Sequence, residues 1–204
     1  PREARVNGKS TSVSDLKPGM RIRASRLRRI AQIRFLRPDL EVVPLRGNVP
    51  TRVQKVEARQ GLDAALLALA GLERLGLGDK GSPVDPLDVM PAPGQGALGI
   101  EIRADDKATR RVLQTLHDDT SAVAVTAERA LLAALGGGCQ APVAAWVGSL
   151  EPGGESRLYG RVTDRDGAVQ LTASAQLDPK QPEAAGETVA RLLDGEGAAS
   201  LLAR

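Results

Sequence analysis

Ten arginines fall between Met20 and Gln60, with one lysine and only three acids, Asp39, Glu41 and Glu57. The stretch carries eight excess positive charges, whereas the whole chain is only +3. Fixed charge concentrated in this way implies an anionic ligand. Nucleic acid, phosphate and a small molecule with several carboxylates are the candidate anions. Arginine suits a carboxylate because its planar fork pairs with it bidentately. Nucleic acid is disfavoured because stacking aromatics are scarce, and only Phe35 lies in the basic stretch. Residues 47–51, Gly-Asn-Val-Pro-Thr, lack the GxxxxGK[ST] spacing of a P-loop. Arginine-rich helix faces are often simply solvated. That reading suits Arg34, Arg37 and Arg59 better than the arginines placed below.

Cys139 is the second feature with chemistry. Gly136-Gly137-Gly138 delivers this single thiol onto a loop. It is either a small buried hydrophobe or a covalent attachment point or nucleophile. His117 is the only histidine, so a Cys–His pair is arithmetically possible; a surface histidine is the simpler reading. Asp105-Asp106 and Asp118-Asp119 read as a helix cap and a loop rather than as a catalytic pair. One cysteine excludes an internal disulfide and a multi-cysteine zinc site, so no metal site is expected. It is compatible with a reducing, cytoplasmic location. No apolar run approaches the ~20 residues that cross a bilayer, and no membrane partner is expected. With Trp146 and Tyr159 the only other aromatics, the core must be Leu, Val, Ile and Ala.

These groups must be positioned by regular elements. Residues 1–18 read as polar and turn-rich, broken by Asn7-Gly8 and Pro18-Gly19. A strand is expected at 20–24. Ser25 then opens a helix through Leu36, with an apolar stripe of Leu27, Ile30, Ala31, Ile33 and Leu36. A second strand spans 40–45, and Pro50 suits the first turn of the next helix. The continuous apolar run 62–70 reads as a strand buried on both faces, followed by a short helix at 71–77. Pro83, Pro86, Pro91 and Pro93 mark a linker. Another strand is expected at 97–103, then helices near 107–117 and 121–135. Strands near 142–149, 157–163 and 168–175 follow, the last two joined by a turn at 164–167. A helix at 183–193 and a short terminal helix close the chain. Strand–helix alternation suggests a parallel α/β sheet. The economical division is 1–91 as a central α/β domain, 92–118 as linker, and 119–204 as a small α+β domain.

Open α/β sheets bind ligands beyond the carboxyl ends of their strands, where helix N-termini favour anions. Arg28 and Arg29 follow the first strand, Arg46 ends the second, Arg52 opens the next helix, and Arg74 follows the third strand. These five are expected to converge on one crevice.

Five motifs occur in order: Leu27-Arg28-Arg29; residues 45–52, Leu-Arg-Gly-Asn-Val-Pro-Thr-Arg; residues 70–76, Ala-Gly-Leu-Glu-Arg-Leu-Gly; residues 91–97, Pro-Ala-Pro-Gly-Gln-Gly-Ala; and Gly137-Gly138-Cys139-Gln140. Together they resemble the porphobilinogen deaminase (hydroxymethylbilane synthase) family along almost the whole chain. The resemblance implies a three-domain transferase of tetrapyrrole and haem biosynthesis, cytoplasmic and usually monomeric. It implies a periplasmic-binding-protein-like parallel or mixed sheet domain and a small α+β C-terminal domain with a three-stranded sheet. It further implies that four porphobilinogens are joined head to tail with loss of ammonia, through oligopyrrole intermediates. The primer is a dipyrromethane cofactor held by Cys139 through a thioether. Arg28, Arg29, Arg46, Arg52 and Arg74, with Ser25 and Gln95, are implied to hold the acetate and propionate groups of cofactor and substrate. Each pyrrole brings two carboxylates, which suits many arginines and a tether. A cationic azafulvene on the path needs a carboxylate partner.

The sequence departs from the family in two places. The family's N-terminal region, with its catalytic aspartate, has no counterpart here, and no acid of this chain matches that aspartate by motif. Residues 92–118 would then be linker and a remnant of the first domain, and the 204 residues alone are expected not to turn over porphobilinogen. The family also reads Gly-Thr-Ser-Ser before Leu-Arg-Arg, where this chain has Arg23-Ala24-Ser25-Arg26. Arg26 replaces a small hydroxyl, and either crowds the cleft or adds an anion contact. Two functions therefore stand: part of a hydroxymethylbilane synthase, or a non-catalytic polycarboxylate-binding fragment or paralogue.

Overall fold

The computed structural model describes residues 1–6, 12–44, 46–58, 61–138, 140–148 and 155–203. Cys139 therefore lies outside the described residues. Two sheets organise the rest. The first is built from β1 (Glu3–Val6), β2 (Arg21–Arg23), β3 (Glu41–Val43), β4 (Ala64–Ala68) and β5 (Gly81–Pro83), in the order β3-β2-β4-β1-β5. β2 runs parallel to β3 and β4, whereas β1 runs antiparallel to β4 and β5. The sheet is thus mixed rather than wholly parallel.

β4 explains the continuous apolar run. Ala64 and Leu66 face a core with Ile22, Ile33 and Val89, while Ala65 and Leu67 face another with Val53, Val56 and Leu72. Successive residues of a strand point to opposite faces, so a strand covered on both sides is apolar throughout. α1 (Leu27–Leu36) covers one face; α2 (Val49–Glu57) and α3 (Leu69–Arg74) cover the other. The side chain of Asn48 caps α2 by accepting from the Thr51 N–H at 3.0 Å.

Two sequence expectations need correcting here. Residues 1–18 are not turns throughout, because Glu3–Val6 forms an interior strand, β1. Its Ala4 and Val6 join the α2-side core. Its charged alternates are buried with partners: Glu3 meets two arginines, and Arg5 donates to the Ser12 carbonyl at 2.6 Å. Residues 97–103 form no strand. The alternation of Leu98, Ile100 and Ile102 is present, but no described strand runs alongside to complete a ladder, and Leu98 and Ile100 are 78% and 58% exposed.

After α4 (Lys107–Leu113), the second sheet is an antiparallel β6-β7-β8 meander of Val143–Gly148, Arg157–Thr163 and Gln170–Gln176. α5 (Asp119–Ala134) and α6 (Pro182–Gly195) pack on one face, burying Leu131, Val147, Leu158, Val189 and Leu193. A short α7 (Ala198–Leu202) follows. The units meet across polar contacts. Arg161 of β7 donates to the Leu87 carbonyl at 2.8 Å and to Gln32 Oε1 of α1 at 2.9 Å. The turn after β7 seats Gly167, at φ 77°, against the backbone of α1, where a Cβ would lie 2.8 Å from the Phe35 nitrogen.

Candidate functional site

A cavity of about 430 Å³ opens where α1, α2 and the segment 92–95 meet the loop after α5. Arg26, Arg28, Arg29 and Arg52 supply its charge, Gln95 a polar amide, and Gly138 and Gln140 the edge next to Cys139. The chain reaches this geometry in simple steps. β2 ends at Arg23, Arg26 is the extended N-cap residue, and α1 begins at Leu27. Arg28 and Arg29 therefore lie in the first turn, beyond the carboxyl end of a sheet strand. Arg52 occupies the first turn of α2.

Arg28 and Arg29 are buried and heavily engaged. Arg28 Nη2 lies 2.6 Å from Glu3 Oε1 and 3.2 Å from Gln95 Oε1, and its Nη1 donates to the Met90 carbonyl. Arg29 Nε donates to Glu3 Oε1 at 2.9 Å, and its Nη2 lies 2.8 Å from Oε2. Burial would raise the Glu3 carboxyl, but the Arg29 and Arg28 guanidiniums outweigh burial and hold it below the usual range. Arg52 donates through Nε to the Gly47 carbonyl at 2.7 Å. Its guanidinium is pulled below the ordinary value by burial, then by the like charges of Arg29 and Arg26. A site whose cations repel one another is relieved by a bound anion.

Other predicted residues lie elsewhere. Arg46 is exposed before α2. Arg74 donates to the Gly96 carbonyl at 2.5 Å and lines a second, larger cavity of about 530 Å³ with Leu98, Ile100 and His117. Ser25 is half-buried and is not among the residues lining the first cavity. The structure thus brings together three of the five arginines, with Gln95. His117 pairs with Asp119 at 3.3 Å. Asp106 and Asp118 are N-caps of α4 and α5. Among the described residues, no group of three His, Cys, Asp or Glu side chains is placed to hold a metal ion, and no helix is long and apolar enough to cross a membrane.

Sequence reasoning missed two acids. Glu3 sits in a stretch read as turns. Glu128 lies on the apolar stripe of α5, between Ala124 and Leu131, and is 1% exposed. One oxygen accepts from the Gly94 N–H at 2.7 Å and the other from the Val147 N–H at 3.1 Å. It therefore ties the Gln95 turn to the helix leading toward Cys139. Burial pushes its carboxyl up to about 7, against the two backbone donors. A charged residue at an i, i+3, i+4 apolar position was the available signal.

Comparison with known proteins adds an independent finding. Residues 1–111 match the family model described as porphobilinogen deaminase, dipyromethane cofactor binding domain, and residues 122–194 match its C-terminal domain. A porphobilinogen deaminase of Corynebacterium glutamicum is 45% identical over 98% of this chain and 67% of its own length. Those of Syntrophobacter fumaroxidans and Roseiflexus sp. are 42% and 44% identical, over 99% and 100% of this chain. The chain spans about two thirds of the length of these relatives, 65% and 66% in the last two.

Proposed function

The chain belongs to the porphobilinogen deaminase family, and on that premise we propose that it forms the central and C-terminal part of a cytoplasmic hydroxymethylbilane synthase, acting on porphobilinogen and its oligopyrrole products. The observation that carries this reading is one cavity shared by an arginine wall and the neighbours of Cys139.

The residues present fit a dipyrromethane. Arg26, Arg28, Arg29 and Arg52 against the single carboxylate of Glu3 leave the cavity strongly positive. A dipyrromethane of this pathway carries two carboxylates on each ring. Cys139 would hold it by a thioether, and when bound it supplies the pyrrole end onto which new rings are added. The guanidiniums bind the carboxylates and fix the rings in register. Gln95 adds a neutral amide that is already oriented by the Arg28 guanidinium. Glu128 holds the turn that carries Gln95. Glu3 is bound to both inner arginines, so it is not available to stabilise positive charge on a pyrrole. That task falls to a carboxylate outside this set, as the family's catalytic aspartate implies.

The test is porphobilinogen consumption with ammonia release and uroporphyrinogen I formation. Residues 1–204 alone are expected to show none. The same residues joined in one chain to the aspartate-bearing region of a relative are expected to restore turnover. Turnover by residues 1–204 alone, or none from the joined chain, overturns the proposal and favours a non-catalytic polycarboxylate-binding module.

A further inference from the structure

A buried amide joins the C-terminal unit to the first turn of α1. Gln32, one helical turn beyond Arg28, is 1% exposed. Its Nε2 donates to the Met90 carbonyl at 3.0 Å and to the Arg28 carbonyl at 3.3 Å. Its Oε1 accepts from the Met90 N–H at 2.9 Å and from Arg161 Nη1 of β7 at 2.9 Å. Two donors meet the oxygen and two carbonyls meet the nitrogen, so the amide has one orientation only. Met90 is thereby gripped at both its N–H and its carbonyl, and that carbonyl also accepts from Arg28 Nη1.

Arg161 is the C-terminal unit's end of this hydrogen-bonded chain. It is 7% exposed, and its guanidinium also donates to the Leu87 and Asp88 carbonyls at 2.8 and 3.2 Å and to Thr172 Oγ1 at 3.2 Å. These partners are neutral oxygens, so no hydrogen-bonded carboxylate among them offsets the burial of the charge. What the planar fork supplies is direction: it fixes residues 87–88 and Gln32 relative to one another. β6 holds the same segment further along, through the Ala145 N–H on the Pro91 carbonyl at 3.0 Å. Residues 87–91 are thus held by the C-terminal unit at both ends and by α1 in the middle.

We propose that Arg161 and Gln32 are positioning residues for the site assigned above: through Met90 they transmit the placement of the C-terminal unit to the Arg28 guanidinium, although neither side chain lines the cavity. This coupling rests on the proposed function, because it acts on that same cavity. A side chain fastened inside one unit would affect only stability; one end of this chain lies in each unit, so breaking it misaligns the unit that bears Cys139 against the arginines.

Two measurements on the 204-residue chain test it: amide hydrogen exchange, and calorimetric titration of a synthetic dipyrromethane tetracarboxylate with intact mass checked for adducts. Arg161→Met is expected to accelerate exchange at Met90 by more than at the β4 amides, and to weaken binding by roughly tenfold, the scale of one hydrogen bond to a charged group. Gln32→Met should do the same, and the double variant should lie within about twofold of the weaker single one, because both break one chain of contacts. Thr172→Val removes the Arg161 contact inside the C-terminal unit and is expected to leave binding unchanged. Should Arg161→Met not fold, Arg161→Lys serves: it keeps the charge without the fork that reaches Leu87 and Gln32 together, and the same pattern is expected at smaller amplitude. Equal acceleration at Met90 and β4, unchanged binding in the Arg161 and Gln32 variants, or losses that multiply in the double variant overturn the coupling and leave the site itself standing. No binding by the unsubstituted chain overturns both the coupling and the proposed function.

Discussion

Glu3 is fully buried between two guanidiniums that would each be costly to bury alone. Glu3→Gln leaves them without a carboxylate and is expected to cost about 3–5 kcal/mol in urea unfolding. A loss under about 1 kcal/mol would contradict the burial of the triad. Its pH signature has a definite sign. The folded carboxyl lies below its ordinary 4.5, so its contribution is present above that value and is lost as pH falls through the folded value. Glu128 behaves in the opposite sense. Its carboxyl rises from 4.5 to about 7, so the folded state holds a proton that the unfolded state has released. Its contribution is full below 4.5 and is lost as pH rises to about 7. The unfolding free energy of wild type minus Glu128→Gln should therefore fall by roughly 3 kcal/mol across that interval. A flat or rising difference would contradict a buried, desolvated Glu128. Arg28, Arg29 and Arg52 were legible in the sequence because runs of cations announce themselves. The commitment of the first two to Glu3 was not, because that pairing spans about 25 residues and sets an acid against arginines through tertiary packing alone.

Elements with a strong local signal are where the pattern places them. α1, α2, β4, α5 and α6 follow apolar periodicity, caps or a proline in the first turn. β1 escaped because its four residues alternate charge with apolar side chains, a pattern that normally marks an exposed face, yet both of its faces are covered. Residues 97–103 carry strand-like alternation without a strand alongside, and a strand is a property of two segments, not one. Close approach of helices is equally non-local. Gly186 of α6 packs against α5 so tightly that a Cβ would lie 2.6 Å from both the Ala127 oxygen and the Leu131 nitrogen. An exposed helix gains about 1 kcal/mol from Gly→Ala. Here Gly186→Ala is expected to destabilise by about 1–3 kcal/mol through overpacking. A higher melting temperature in that variant would refute the contact.

At the scale of the molecule, function depends on how the two units face each other. Arg161 and Glu128 fasten the C-terminal unit to α1 and to the turn carrying Gln95, and Gly138 and Gln140 of that unit line the same cavity as the arginine wall. That juxtaposition was invisible to periodicity and charge counting, and entered the sequence reading only through family motifs. The central claim is that this wall and Cys139 together hold a dipyrromethane. The most direct measurement is peptide mass mapping of the chain purified from a tetrapyrrole-producing host, combined with Ehrlich's reagent. The account predicts a Cys139 peptide heavier by one dipyrromethane and a positive colour reaction. An unmodified Cys139 peptide with no colour would contradict it.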